Sequence, residues 1–138
     1  MPIHRMHLKG PWQLQRLDCD EPCKFVTLPA SWQSHLDANV THAEFRRSFN
    51  LPTNLEAHEH VWIVFRELGL QARVSLNRVF LGCAEPDATD IEFEITPHLL
   101  PRNVLTVEFT TDQPVTDLEP RGLWEPVALE IRFDDDCG

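Results

Sequence analysis

Residues 72–82 read Ala-Arg-Val-Ser-Leu-Asn-Arg-Val-Phe-Leu-Gly, and this stretch decides the fold class. Its first apolar residues alternate with Arg73 and Ser75, which is the period of a half-buried strand. Asn77-Arg78 then separates this run from a second apolar run. A two-residue connection between two strand patterns predicts a tight hairpin, although a type I′ turn prefers glycine where Arg78 stands.

The same alternation recurs along most of the chain. Nine strands are predicted, at residues 12–17, 24–28, 44–51, 60–67, 72–76, 79–82, 91–95, 104–111 and 126–133. No segment has a sustained helical period; single helical turns are predicted at 97–102, with Thr96 as N-cap, and within 29–43. Short strands separated by eleven prolines and five glycines predict an all-β sandwich or jelly roll.

Length and composition set further limits. The 138 residues fit one domain, predicted over 1–138 with a core at about 10–133, and 42% of them are hydrophobic. The net charge of -10 argues against nucleic acid and anionic membranes as partners, and no apolar run reaches the roughly 20 residues of a membrane span. The start of the chain has no apolar signal-peptide region, so a cytoplasmic location is expected.

Two clusters could bind a metal, but each has a simpler interpretation. His58-Glu59-His60 places two imidazoles on one strand face without an obvious third ligand, so we interpret it as a polar loop. Glu85, Asp87 and Asp90 lack the spacing of a calcium loop and are interpreted as a solvated turn. We therefore expect no metal and no cofactor.

Catalytic signatures are also missing from the sequence. The serines lack a nucleophile-elbow setting, and Cys83 has no recognisable histidine partner. Cys19 and Cys23 are one close pair, whereas a zinc ribbon needs two, and free thiols are expected. The Asp134–Asp136 run is interpreted as a solvated tail. A pair of loop carboxylates acting as a glycosidase stays open as a third interpretation.

Four tryptophans could offer flat faces to a sugar ring. Trp12 and Trp62 are predicted to be core residues, because Trp62 lies in the run Val61–Phe65, which is apolar on both faces. Trp32 and Trp124 lie in or beside loops, and for them core packing and ligand binding both stay open.

Strand counting predicts where a ligand site would lie. If successive strands reverse direction, the connections at 29–43, 68–71, 83–90 and 112–125 share one end of the sandwich, and those at 18–23, 52–59, 77–78 and 96–103 share the other. Long loops on a rigid scaffold tend to carry function. The candidate ligand-binding residues at the first end are Trp32, His35, Asn39, Asp87, Asp117, Glu119 and Trp124.

Six motifs, in order, resemble one family. They are Gly10-Pro11-Trp12-Gln13-Leu14, Leu28-Pro29-Ala30-Ser31-Trp32-Gln33, the segment from Phe45 to Pro52, the segment from Val74 to Gly82, Phe93 to Thr96 followed by Asn103 to Val107, and Gly122 to Val127. The chain is similar to the N-terminal sugar-binding jelly-roll domain of glycoside hydrolase family two. The resemblance covers about residues 10–133 and implies the galactose-binding-like fold.

The resemblance also carries an expectation about function. In this family the catalytic glutamates lie in a separate barrel far downstream, so the resemblance implies a non-catalytic carbohydrate-binding module. Asn39-Val40-Thr41 resembles a stretch that reaches the active site in β-galactosidases, and it is also a glycosylation sequon. The alternative is a jelly roll that binds a protein partner or a second copy of itself instead of a sugar.

Overall fold

The computed structural model describes residues 4–51, 55–115 and 119–133, so Asp117, Asp134–Asp136 and Cys137 lie outside the described residues. The strands of the described part are β1 (His4–His7), β2 (Gly10–Arg16), β3 (Lys24–Leu28), β4 (His42–Asn50), β5 (Glu59–Glu67), β6 (Gln71–Leu76), β7 (Val79–Ala84), β8 (Thr89–Glu94), β9 (Arg102–Thr110) and β10 (Ala128–Phe133). One short helix, α1 (Trp32–His35), and a 3₁₀ turn at Thr96–His98 complete the elements.

The strands form two antiparallel sheets, which confirms the all-β sandwich. One sheet has the order β1-β10-β5-β8, and the other has the order β3-β2-β4-β9-β6-β7. Alternate residues of the central strands point inward; in β9, for example, Leu105, Val107 and Phe109 are fully buried. The period-2 pattern of the sequence therefore fixes which residues enter the space between the sheets.

Strand β1 is the element that the sequence pattern did not predict. All four of its residues are exposed, so the segment carries no alternation of apolar and polar residues. It is held instead by pairing with β10, with Arg5 opposite Glu130 and His7 opposite Ala128. Every residue except proline can donate and accept backbone hydrogen bonds, so this pairing explains a strand that the pattern of side chains does not indicate.

Aromatic rings fill the centre of the core. Phe109 meets Trp32 and Phe45 in edge-to-face contacts, at ring-centroid distances of 5.8 and 5.7 Å. Trp12 is also fully buried, and its Nε1 donates a hydrogen bond of 2.9 Å to the carbonyl of Leu8. Edge-to-face pairs add to the stabilisation that apolar burial supplies.

The hairpin predicted at Asn77-Arg78 is confirmed. Both residues have left-handed backbone angles, with φ of 52° and 68°, as a type I′ turn requires. The Asn77 side chain compensates for the missing glycine, because its amide donates to Asn103 Oδ1 at 2.9 Å and its oxygen accepts from the Val104 amide at 2.9 Å. Asn103 is fully buried and binds both backbone groups of Leu100, which fixes the end of the sandwich where β6 turns into β7.

Two predictions about single residues are wrong. Trp62 is half-buried on the outer face of its sheet, where the Arg132 guanidinium lies 4.7 Å from the ring centroid. Its strand is central, but the layer that covers its outer face consists of long charged side chains instead of a second apolar layer. Thr96 is the first residue of the 3₁₀ turn and not its cap; its hydroxyl accepts a hydrogen bond from the Val61 amide.

Candidate functional site

Several connections meet at the end of the sandwich where β4 and β6 begin and β9 ends, which we call the long-loop end. The Val115 amide donates to the Ala38 carbonyl, and the Gly122 amide donates to the Leu68 carbonyl. Pro86 lines the same cleft as Gly69 and Thr111. The connections after β5, β7 and β9 therefore share an end with the last part of the β3–β4 connection, as expected from strand counting.

The segment 18–23 was expected at the opposite end, and this expectation is wrong. Asp18 Oδ2 accepts a hydrogen bond of 2.9 Å from the Thr41 amide, so the segment lies at the long-loop end. The reason is the strand order. Both β3 and β4 pair antiparallel with β2 and hence run in the same direction, so the connection between them must cross the whole sandwich.

A cleft of about 580 Å³ opens at the long-loop end. Its buried floor is made by Leu70 and Val115, and apolar surface also comes from Pro86 and Pro114. The remaining lining residues carry hydroxyl, amide, carboxylate and guanidinium groups or bare backbone, and they are Gly69, Gln71, Thr110, Thr111, Asp112, Gln113 and Arg121. The cleft thus combines a small apolar floor with a polar rim.

Arg121 lines the cleft, and two of its contacts help to position it. Its Nη1 donates to the Gly69 carbonyl at 3.0 Å, and its Nη2 lies 3.4 Å from Glu119 Oε2. Gly69 has a positive φ of 70°, and a Cβ at this position would come within 2.9 Å of Arg121 Cδ. Glycine is therefore required here both for the backbone angle and for the close approach of the arginine.

A tight polar turn at residues 111–113 also lines the cleft. The Thr111 hydroxyl donates a hydrogen bond to the Gln113 carbonyl at 2.9 Å, and the Thr111 amide donates one to the Thr41 carbonyl. Asp112 lies at the exposed tip of this turn. Among the described lining residues, Asp112 and Arg121 supply one charge of each sign, so the cleft has no strong charge preference despite the acidic chain.

Most residues predicted as ligand-binding lie around this end, but none of those described lines the cleft. Trp32 is only 1% exposed and has no open ring face, so of the two interpretations left open for it the structure favours core packing. Trp124 and His35 are half-buried, and His35 lines a separate small cavity beside Arg16. Asn39, Asp87 and Glu119 are exposed. Asp87 follows the cleft residue Pro86, and Glu119 contacts the cleft residue Arg121. Asp117 lies outside the described residues.

The sequence reasoning missed Gln71, Thr111, Asp112 and Gln113 as cleft residues. All four lie in, or directly beside, connections that it assigned to this end, so the connections were identified but the individual residues were not. The signal that was available is the Thr-Asp-Gln run directly after the β9 pattern, since a polar run at a strand end lies on the rim of the sandwich.

The other candidate clusters have local partners. His58 lies 3.3 Å from Glu56, and His60 lies 2.8 Å from Glu94. Within residues 4–51, 55–115 and 119–133, no three His, Cys, Asp or Glu side chains are grouped closely enough to hold a metal ion. Cys19, Cys23 and Cys83 are exposed free thiols. Over the same residues, no helix is long and apolar enough to cross a bilayer.

Two carboxylates have a displaced pKa. The Arg16 side chain, followed by the Thr41 amide, stabilises the charged form of Asp18 and lowers its pKa to about 2. Burial of Glu130 acts to raise its pKa, but hydrogen bonds from Arg132 and Arg5 more than compensate, so the pKa of Glu130 lies below its ordinary value. The Glu130–Arg5 ion pair joins β10 to β1, whereas Asp18 pairs with Arg16 two residues away, and neither carboxylate lines the cleft.

Two antiparallel sheets with a polar cleft among the connections at one end define a jelly-roll module of the galactose-binding-like type. The family model described as glycosyl hydrolase 2 galactose-binding domain-like matches residues 30–121, which is two thirds of the chain. The chain therefore belongs to this family, in agreement with the resemblance found in its motifs. No curated protein matches the sequence.

Solved structures share the fold at low sequence identity. An FMN-binding β-glucuronidase from Facaelibacterium prausnitzii L2-6 superposes with a TM-score of 0.78 at 21% identity. The β-glucuronidase of Bifidobacterium dentium, complexed with coumarin-3-O-glucuronide, superposes with a TM-score of 0.77 at 19% identity. A β-glycosidase from Bacteroides vulgatus superposes with a TM-score of 0.74 at 16% identity. The similarity covers 94, 94 and 93% of this chain but only 22, 30 and 20% of theirs.

Proposed function

We propose that this chain is a non-catalytic carbohydrate-binding module and that the cleft at the long-loop end receives the sugar. The observation that carries the proposal is the cleft itself, a space of about 580 Å³ between the segments 69–71, 110–115 and Arg121. A monosaccharide ring needs only part of this volume, which leaves room for a second ring or for water.

The lining has the chemistry that sugar recognition needs. A sugar hydroxyl both donates and accepts hydrogen bonds, so it suits carboxylate, amide and hydroxyl groups such as those of Asp112, Gln71 and Thr111. Leu70, Val115 and Pro114 provide an apolar surface for the C–H face of the ring. No tryptophan lines the cleft among the described residues, so the expected affinity is weak.

Charge favours a neutral sugar. The described lining carries one cation and one anion, and the whole chain has a net charge of -10 that repels anionic ligands. The β-glucuronidases named above act on acidic sugars in the context of much longer chains. We therefore expect this module to bind neutral sugars more strongly than uronic acids.

A glycan array on the purified chain, followed by titration calorimetry with the best neutral glycan, tests the proposal. Asp112→Ala and Gln71→Ala should each weaken binding about tenfold, because each removes a hydrogen-bonding group without touching the core. Asp20→Ala is the matched control, since Asp20 is an exposed aspartate on the segment 18–23 and does not line the cleft. Melting temperatures of all variants should agree.

Three results would count against the proposal. Absence of binding to every glycan would favour the alternative of an interaction module. Binding that is lost in Asn39→Ala but kept in Asp112→Ala would move the site to the connection before β4. Turnover of an aryl glycoside that disappears when one loop carboxylate is replaced by its amide would identify a small hydrolase instead.

A further inference from the structure

The four edge strands of the sandwich differ in how they are protected from pairing with another chain. Edge strands usually carry charges or prolines that discourage such pairing. Strand β1 contains Arg5, β3 contains Lys24, and β8 contains Asp90, Glu92 and Glu94. Strand β7 is the exception among the described edges, because its sequence Val-Phe-Leu-Gly-Cys-Ala has no charged residue and no proline.

Strand β7 also exposes apolar surface. Val79 is 41% and Phe80 is 49% exposed, and the Phe80 ring is covered on one side by the Arg73 guanidinium at 4.4 Å. One edge of β7 pairs with β6, and the other edge has no strand partner in its sheet. A single extra residue at Leu81 interrupts the pairing with β6, so Phe80 and Cys83 lie on the same face of β7, opposite Ser75 and Arg73.

The charges that flank β7 are complementary to those of a second copy. Arg78 precedes the strand and Glu85 follows it, and both are exposed. Neither makes an ion pair with another residue of the described part. If two β7 strands pair antiparallel about a two-fold axis between Leu81 and Gly82, residues whose numbers add to 163 lie opposite each other. Arg78 of each copy then faces Glu85 of the other, which gives two opposite-charge pairs.

The same register matches the strand residues. Phe80 faces Cys83 of the second copy on the exposed side, and Val79 faces Ala84. Two chains that each carry a net charge of -10 repel one another, so self-association needs a surface without net negative charge. Strand β7, which carries no charge of its own, meets this requirement.

We propose that β7 is a self-association edge, through which two copies of this chain join into one continuous sheet by antiparallel β7–β7 pairing. The interface is separate from the cleft, so it does not depend on sugar binding. Because the ladder is short, the dimer is weak and forms at high protein concentration.

Sedimentation velocity on the intact chain, in the presence of a reducing agent, tests this proposal over about 10 μM to 1 mM. The unmodified chain should show a monomer–dimer equilibrium. Arg78→Glu or Glu85→Lys alone should raise the dimer dissociation constant about tenfold, because each converts both attractive pairs into repulsive ones. The double variant R78E/E85K should restore the original constant, since the pairs are re-formed with exchanged signs.

Lys24→Glu is the control, because it reverses a charge on the edge strand β3 and should leave the dimer constant unchanged. Far-ultraviolet circular dichroism and the melting temperature show whether each variant is folded. The proposal is wrong if the chain stays monomeric up to 1 mM, or if a dimer forms whose dissociation constant is the same in the unmodified chain and in both single charge-reversal variants. It is equally wrong if the double variant stays as weak as the single ones.

Discussion

Replacement of the buried Asn103 by leucine should destabilise the sandwich strongly. Its side chain accepts hydrogen bonds from the Asn77 side chain at 2.9 Å and the Leu100 amide at 2.8 Å, and donates to the Leu100 carbonyl at 2.8 Å. Leucine has a similar size but leaves these three groups, and the Phe49 carbonyl that accepts a longer bond of 3.5 Å, without their partner. Because the bond to Phe49 is long, only the three shorter bonds are counted. At roughly 1 kcal/mol for each bond, the loss is about 3 kcal/mol.

Urea denaturation at pH 7, followed by tryptophan fluorescence, measures this loss as a change in the free energy of unfolding. The corresponding fall in melting temperature is about 10 °C for a chain of this size. Val104→Leu is the control, because Val104 is the next residue and is 37% exposed, and it should change the stability by less than about 0.5 kcal/mol. A variant Asn103→Leu as stable as this control would show that the side-chain network does not hold the hairpin end in place.

Three further predictions follow from single contacts. Gly82→Ala should cost roughly 1–3 kcal/mol of unfolding free energy, because the new Cβ would lie 2.6 Å from the Phe93 ring; an unchanged urea midpoint would refute the close packing. Trp32→Ala should cost about 3–5 kcal/mol, and Trp62→Ala less than half of that, since only the first ring is fully buried; equal urea midpoints would contradict this. The lowered pKa of Asp18 stabilises the fold above about pH 4, and this stabilisation is lost as the pH falls toward 2. Asp18→Asn should therefore lower the free energy of unfolding at pH 7 by about 1 kcal/mol, with screening by solvent taken into account. Its melting temperature should also depend less on pH between 4 and 2 than that of the unmodified chain.

The alternation of apolar and polar residues predicted the strands well, because the period of 2 follows directly from burial of one sheet face. The alternation failed for residues whose positions are not set by burial of one sheet face. Strand β1 has no buried side chain and is held by backbone pairing to β10. Trp62 was assigned to the core because its neighbours are apolar, but period 2 alone does not tell whether the second face of a central strand is covered by a layer or by charged side chains.

The grouping of connections around the cleft was predictable in part. Counting strand reversals placed the connections after β5, β7 and β9 together, because neighbouring antiparallel strands do reverse. The count failed between β3 and β4, which both flank β2 and run the same way; strand order in a sheet depends on contacts far apart in sequence. Which loop residues face the cleft depends in turn on those contacts, as the positions of Thr111 and Gln113 illustrate.

The most direct test of sugar binding in the cleft is a titration of the ¹⁵N-labelled chain with a neutral sugar, methyl β-D-galactopyranoside, observed through the amide resonances of the chain. We expect shifts confined to residues 69–71, 110–115 and 121, and much smaller shifts with glucuronic acid at equal concentration. Shifts centred on the opposite end, at 77–78 and 96–103, would contradict the assignment of the cleft. No shift with this sugar or with the matching glucoside and mannoside would contradict the proposed function itself.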